Sequence, residues 1–449
     1  MLLTKDFAQN LLDRAKKLGA EQSEVYINSI THLKIDVINR KIESFDNISE
    51  GGLGVRIIKD KKMGFAYTAD LDEHAIENTI TQAINNSKNT TPDIHLNFPV
   101  PENQNTSIPL VDDDIKNTDI KDKIFLSLET EKEAFAYDKR VKKSEKVGYQ
   151  ESLATTMIAN SNGVSILYDK ATCGLFAEVI AEENDQMETG TWFKFSAKYK
   201  DIDPKYVGGE AAKKAVTMLG AIQEKSGKAA VLLSPNAAAT LLSAISPALS
   251  ADFAQKGKSI FRGAVDKPVS SRKLTIVDSG ILLNGVASVP YDDEGVPTQE
   301  TKIITDGIFR SFLHNCYTAK KSKSRSTANS LRMSFKSQPE ISPTNLYIKP
   351  GHRSADELME GMSKGFLIEN IMGAHTINPI SGDFSIGFSG FYIENGKQSR
   401  PVRGMTIAGN ILDVFNHIED IGSDLMFFPY NGNIGAPSIL ISNLSVGGK

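Results

Sequence analysis

The stretch from Thr301 to Asn315 reads TKIITDGIFRSFLHN, and the stretch from Phe388 to Val402 reads FSGFYIENGKQSRPV. Each places β-branched and aromatic residues ahead of a two-residue turn pair, Asp306-Gly307 in one and Asn395-Gly396 in the other. Such pairs suit the left-handed turns of a β-hairpin, so both stretches read as antiparallel strands. Further strands are expected in AAVLLS from Ala229, KLTIVDS from Lys273, NLYIKP from Asn345, GFLIENIM from Gly365 and SILISNLSV from Ser438. Short helices fit ADELMEGM from Ala355 and NILDVFNHI from Asn410. Strand and helix do not alternate regularly here. The fold class expected is therefore α+β, with a β-rich C-terminal domain over 222–449.

The N-terminal region, 1–221, repeats one order of elements. Phe7, Leu11, Leu12, Ala15 and Leu18 follow helical spacing, with Gly19 as a stop. SEVYINSI and HLKIDVIN read as strands, and LGVRIIKDKKMGFAYTAD reads as a hairpin turning at Asp60-Lys61. A helix follows, capped by Asp70 or Asp72 and burying Ala75, Ile76, Thr79, Ile80 and Ala83. After a polar, proline-bearing linker at 86–117 comes a helix from Ile120 to Tyr137. Strands in KVGYQESLATTMIAN, VSILYDK, CGLFAEVIAE and TWFKFSAKY follow, and then a helix near Gly209–Leu219. Helix, antiparallel strands and helix thus occur twice, without sequence identity between the halves.

The chain has 449 residues, 40% hydrophobic and 24% charged, with a net charge of −4. That mixture argues against a nucleic-acid-binding surface spread over the fold. Cys173 and Cys316 are the only cysteines, which excludes a disulfide framework and points to the cytoplasm. The N-terminus lacks the apolar core of a signal peptide, and no apolar run approaches the roughly 20 residues of a membrane span.

Several long phrases resemble the TldD/PmbA family. They are GGLGVRIIKDKKMGFAYTADLD from Gly51, YDDEGVPTQETKIITDGIFRSFLHNCYTAKK from Tyr291, STANSLR from Ser326, and SGDFSIGFSGFYIENGKQSRPVRGMTIAGNILDVFNHIEDIGSDL from Ser381. The resemblance implies a dimeric α+β protein related to cytoplasmic metalloproteases once described as modulators of DNA gyrase. In the TldD branch, a His-Glu-x-x-x-His helix and a later cysteine hold zinc. The PmbA branch, also called TldE, lacks that motif and partners the first.

Matching LLSAISPALSADF from Leu241 to the metal helix puts Leu242 and Pro247 at the histidine positions and Ser243 at the glutamate. No cysteine follows Cys316. A zinc protease needs imidazole ligands, a third ligand and a carboxylate beside the bound water. Leucine and proline have no side-chain lone pair, and a proline at 247 also weakens the helix. The resemblance therefore implies a non-catalytic subunit with no cofactor of its own. Zinc is expected in a TldD-like partner, and the substrate class is unfolded or leader peptides. A homodimer using relocated chemistry, or a protein that binds gyrase, are the alternatives. Neither nucleic acid nor a membrane is expected as a partner.

Other residues carry two readings each. Asp292, Asp293 and Glu294 before Gly295 could do acid–base work or hold a metal, with Asp293 and Glu294 as candidate substrate contacts, or could shape a turn. His314 and Cys316 could form a small site, or be a strand-end histidine and a buried thiol. Gly387 and Gly390 could admit an extended peptide at a strand edge, or serve tight strand packing. Lys320, Lys321, Lys323 and Arg325 form a basic run that is either a solvated face or a dock for an acidic peptide or partner.

Overall fold

The computed structural model of the chain describes residues 4–104, 106–430 and 432–449. The N-terminal region opens with α1 (Lys5–Lys17), β1 (Gln22–Ile38), β2 (Lys41–Lys59), β3 (Lys62–Thr68) and α2 (Glu73–Lys88). It continues with α3 (Asp113–Asn117), α4 (Ile120–Tyr137), β4 (Val141–Asn160), β5 (Ser165–Glu183), β6 (Gln186–Ser196) and α5 (Pro204–Thr217). The six strands form one antiparallel sheet in the order β3-β2-β1-β4-β5-β6. The two halves expected from sequence therefore meet at β1 and β4, each fanning outward from the centre. One contact repeats between them. A Cβ on Gly64 of β3 would lie 1.9 Å from the Ala83 carbonyl of α2, and one on Gly190 of β6 would lie 2.0 Å from the Ala211 carbonyl of α5. In each half the last strand presses on the closing helix where only glycine fits.

The local signals act as expected. Asp72 caps α2 by accepting from the Ala75 amide, and α4 spans Ile120–Tyr137. The hairpin between β2 and β3 turns at Asp60-Lys61, both with positive φ. The strands are longer than the sequence suggested. SEVYINSI and HLKIDVIN fuse into β1, and VSILYDK and CGLFAEVIAE fuse into β5. The cause is tertiary, because each long strand has long neighbours to pair with across the sheet.

The segment expected as a linker is not a free tether. Helix α2 runs into it as far as Lys88, and α3 lies at its far end. Between them the chain is sewn to both regions. Asn160 donates to the Pro99 carbonyl, Gln104 donates to the carbonyls of Pro290 and Thr298, and Tyr317 donates to Asp93.

The C-terminal region comprises β7 (Gly227–Leu233), α6 (Pro235–Ile245), α7 (Ala251–Gln255), β8 (Ile276–Ser279), β9 (Glu300–Thr305), β10 (Ile308–Phe309) and α8 (Cys316–Ser322). Next come β11 (Ser330–Leu331), β12 (Glu340–Ile341), β13 (Asn345–Ile348), α9 (Ala355–Glu360), β14 (Lys364–Met372), β15 (Asp383–Glu394) and β16 (Lys397–Asn410). Last are α10 (Ile411–Asn416), β17 (Ile418–Ile421), β18 (Met426–Phe428), β19 (Asn433–Ala436) and β20 (Ile439–Gly447). One sheet runs β16-β15-β14-β7-β20-β17, and pairing of β16 with β20 closes it into a barrel. A second sheet runs β10-β9-β8-β13-β19-β18, and α6 packs between barrel and second sheet, touching β14 and β19. The β7–β14 and β13–β19 pairs are parallel, so this half is mixed and not wholly antiparallel. The Asp306-Gly307 and Asn395-Gly396 turns have the positive φ values their composition favours.

Candidate functional site

Helix α6 starts as its sequence dictates. Ser234 Oγ accepts from the Ala237 amide, and Pro235 occupies the first turn, where no amide is needed. The α-helix stops at Ile245, and Ser246–Leu249 tightens into a 3₁₀ turn around Pro247 before α7 begins. A longer uninterrupted helix is not available to a chain with proline there. Leu242 is 2% exposed and belongs to the main hydrophobic core. Ser243 is half-buried, and Pro247 lines a cleft. An aliphatic side chain, a hydroxyl and a ring without a lone pair do not fit a zinc ion. Among the described residues, no group of three or more His, Cys, Asp or Glu side chains is placed to hold a metal.

The cleft has a volume of about 550 Å³. Ser246, Pro247 and Lys256 form one wall, Asn315 and Tyr317 at the start of α8 another, and the segment from Pro339 to Pro343 a third. That last segment contains β12, which among the described residues pairs with β11 alone. Ser342 donates its amide to Asn329, so in an antiparallel ladder the amide and carbonyl of Ile341 turn away from β11. The flanking prolines lack amides and confine this free edge to a few residues. Sequence reading missed the Pro339–Pro343 wall. Its signal was QPEISPTN, a short apolar-centred run between two prolines.

The acidic turn lies elsewhere and is saturated. Asp292, Asp293 and Glu294 are all buried, and Gly295 takes φ +86°. Asp292 accepts from the amides of Glu294 (3.1 Å), Val296 (2.9 Å) and Ser330 (3.2 Å). Asp293 accepts from the Arg332 amide at 2.7 Å. Glu294 accepts from the Cys316 amide at 2.9 Å and from Arg56 of β2 at 3.2 Å. Arg56 also grips Glu24 of β1 with two donors, and Arg332 pairs with Glu24 as well. The turn is thus the C-terminal half of a buried ionic joint with the N-terminal sheet.

Burial, joined by the charge of Glu294, pushes the Asp292 carboxyl well above the usual carboxylate range. Burial likewise pushes Asp293 up to about 6. At Glu24 burial works upward, but Arg56 and Arg332 outweigh it and hold the carboxyl below its ordinary value. Asp278 of β8 resembles Asp293. It accepts from the Asn329 side chain at 2.6 Å and from the Thr344 amide at 2.8 Å, and burial pushes it up to about 6.

His314 and Cys316 do not form a reactive pair. The strand expected to reach them ends at Phe309; Cys316 opens α8, and His314 precedes its cap, Asn315. His314 Nδ1 faces Thr318 Oγ1 at 3.3 Å, and burial lowers the imidazole's affinity for a second proton. Burial, with Glu294 and Asp292 nearby, pushes the Cys316 thiol far up, so it is not a thiolate. Gly387 and Gly390 lie on β15, which has β14 on one side and β16 on the other. A Cβ on Gly390 would lie 2.0 Å from the Leu367 carbonyl of β14. The close approach there is between strands of this chain, at a bulge, and β15 offers no free edge.

With this geometry in hand, comparison with known proteins is decisive. Residues 226–448 match the model of the PmbA/TldA metallopeptidase C-terminal domain, 113–219 that of the central domain, and 23–87 that of domain 1. The chain belongs to the PmbA/TldD metallopeptidase family. Family members align along nearly the whole length. A metalloprotease PmbA homologue of Buchnera aphidicola (subsp. Acyrthosiphon pisum) is 28% identical over 98% of this chain and 96% of its own. A solved Thermotoga maritima structure, named a modulator of a DNA gyrase, has TM-score 0.90 and 27% identity, covering 99% of this chain and all of that one. TldE from Thermococcus kodakarensis has the same fold, with TM-score 0.90 over 98% of this chain and 99% of its own at 22% identity. The PmbA/TldD fold is therefore shared in full, from the six-stranded sheet to the barrel. Among the described residues no helix is long and apolar enough to cross a membrane.

Proposed function

We propose that this chain is a non-catalytic, peptide-holding subunit of a TldD/TldE-type metalloprotease, paired with a TldD-like chain that carries the zinc. The observation that supports this most is the segment from Leu242 to Pro247. It sits beside a cleft of about 550 Å³, yet its three key positions hold a core leucine, a serine and a proline. The cleft is open, and the segment offers no imidazole, thiolate or carboxylate to a hydrolytic ion. The free amide and carbonyl of Ile341 suit sequence-independent pairing with an extended chain. Unfolded peptides expose such backbone, and folded proteins do not. Enclosing the partner's active site would exclude water and folded proteins without any acid or base from this chain.

Relocated catalysis finds little support in the site. The carboxylates of the acidic turn are saturated by amides and arginines, and Cys316 is a protonated thiol beside them. The test is a peptidase assay on an unfolded peptide, with this chain alone, a TldD-like chain alone, and the mixture. The mixture should be active and this chain alone inert. The Leu242→His/Pro247→His variant should also stay inert and hold far less than one zinc per chain. Chelator-sensitive cleavage by the isolated wild-type chain would refute the proposal.

A further inference from the structure

The basic run after Cys316 is tied to the fold at Lys320, whose Nζ donates to the Leu96 carbonyl at 3.2 Å, and is otherwise unclaimed among the described residues. Lys320 and Lys321 lie on α8, and Lys323 and Arg325 follow it, all exposed. Helix α7 is tied to α8 because Gln255 donates to the Thr318 carbonyl and to Ser322 Oγ, at 2.9 and 2.8 Å. That tie sets exposed Lys256 beside the run, with exposed Lys258 two residues further on. Lys256 lines the cleft, and Lys321 lies over the ring of Tyr317, which also lines it, at 5.5 Å. Among the described residues, only Lys256 of these six has an ion-pair partner, Asp252 at 2.7 Å. The acidic groups nearby are Asp252, Asp93, which accepts from Tyr317, and Glu340 in the opposite wall. Positive charge is in excess here on a chain whose net charge is −4.

We infer that the cleft beside Pro247 takes extended peptides bearing acidic side chains. This rests on the peptide-holding role above and specifies the substrate class. The Ile341 backbone edge would fix the peptide's main chain without regard to sequence, and the lysine rim would select its side chains by charge. Single-stranded nucleic acid is the other anion such a rim could attract. The cleft does not favour it, because among the described residues its lining holds two aromatic rings, Phe253 and Tyr317, and Lys321 already lies over the second, which leaves no row of rings for stacking bases.

The experiment measures binding to the isolated full chain by fluorescence anisotropy. The probes are an unstructured labelled peptide with interspersed Glu, its Gln isostere, and a labelled oligothymidylate. The Glu peptide should bind about tenfold more tightly than the Gln peptide at low salt, with the gap closing as salt rises. The exposed double variant Lys321→Glu/Lys323→Glu should lose that preference while retaining the circular dichroism spectrum and the affinity for the Gln peptide. Equal binding of the two peptides overturns the charge selection and leaves the peptide-holding role standing. Binding of neither peptide overturns both. A preference that survives in the double variant, or tighter binding of the oligothymidylate, also overturns the inference.

Discussion

The segment from Leu242 to Pro247 and the turn from Asp292 to Gly295 are opposites. The first lies beside an open cleft and has no side chain suited to a metal. The second gathers three carboxylates, but each is buried and occupied by amides or arginines. Residue type alone would have ranked the turn as the chemical centre. Its hydrogen bonds reveal a joint instead, because a carboxylate whose lone pairs are filled from within the fold is not available to substrate. The cleft gains its interest from the reverse condition, a strand edge whose backbone groups are unclaimed.

The sharpest way to break this contrast is to remove the cation at the centre of the joint. Arg56→Ala leaves buried Glu294 without a cation and Glu24 with Arg332 alone, and should cost about 3–5 kcal/mol, read as a lowered urea midpoint. If the variant unfolds at the wild-type midpoint, the turn is not a structural joint. Next comes the donor-free segment. Leu242→Ala should cost about 2–4 kcal/mol in the same assay, because the side chain is part of the main core. A loss below about 0.5 kcal/mol would mean the position is spare.

A smaller effect tests the saturated carboxylates by pH. Asp278 titrates at about 6 in the folded chain, against about 3.9 unfolded. The folded state therefore holds this proton more tightly. The resulting stabilisation is complete below the unfolded value and is lost as pH rises through the folded one. From about pH 7 to about pH 5 the wild type should gain about 1 kcal/mol relative to Asp278→Asn. Parallel pH profiles for the two proteins would contradict the burial-driven shift. The smallest effect concerns Pro247. Pro247→Ala should change stability by less than about 1 kcal/mol, since the proline already sits in a 3₁₀ turn suited to it. Recovery of a continuous helix through residue 247 by NMR chemical shifts would show that the proline alone sets the break.

Local physics was well legible in the sequence. The turn pairs at Asp60-Lys61, Asp306-Gly307 and Asn395-Gly396, the Ser234-Pro235 helix start and the limits of α4 depend on a few adjacent residues. The repeated helix–strands–helix order was also visible, although not its meeting point at β1 and β4. What stayed hidden depends on distance along the chain. Nothing near Glu294 announces Arg56, and the QPEISPTN run marks a short edge without saying that it faces Pro247. The parallel pairing of β7 with β14 likewise joins segments that a hairpin rule cannot connect. At Gly390 the type of constraint was foreseeable but its owner, β14 of the same chain, was not, because a close backbone approach reads the same from either partner; at Gly387 an added Cβ would meet only Met372, at 3.5 Å.

The central pairing of β1 with β4 has a consequence for synthesis. β1 can zip onto β2 as soon as both have left the ribosome, but its second edge stays bare until β4, ending at Asn160, has followed. Roughly 100 residues separate those events, about 5–20 s at ordinary elongation rates. For that interval the nascent first half presents a long, sticky strand to the cell, and a chaperone that shields it would decide the yield.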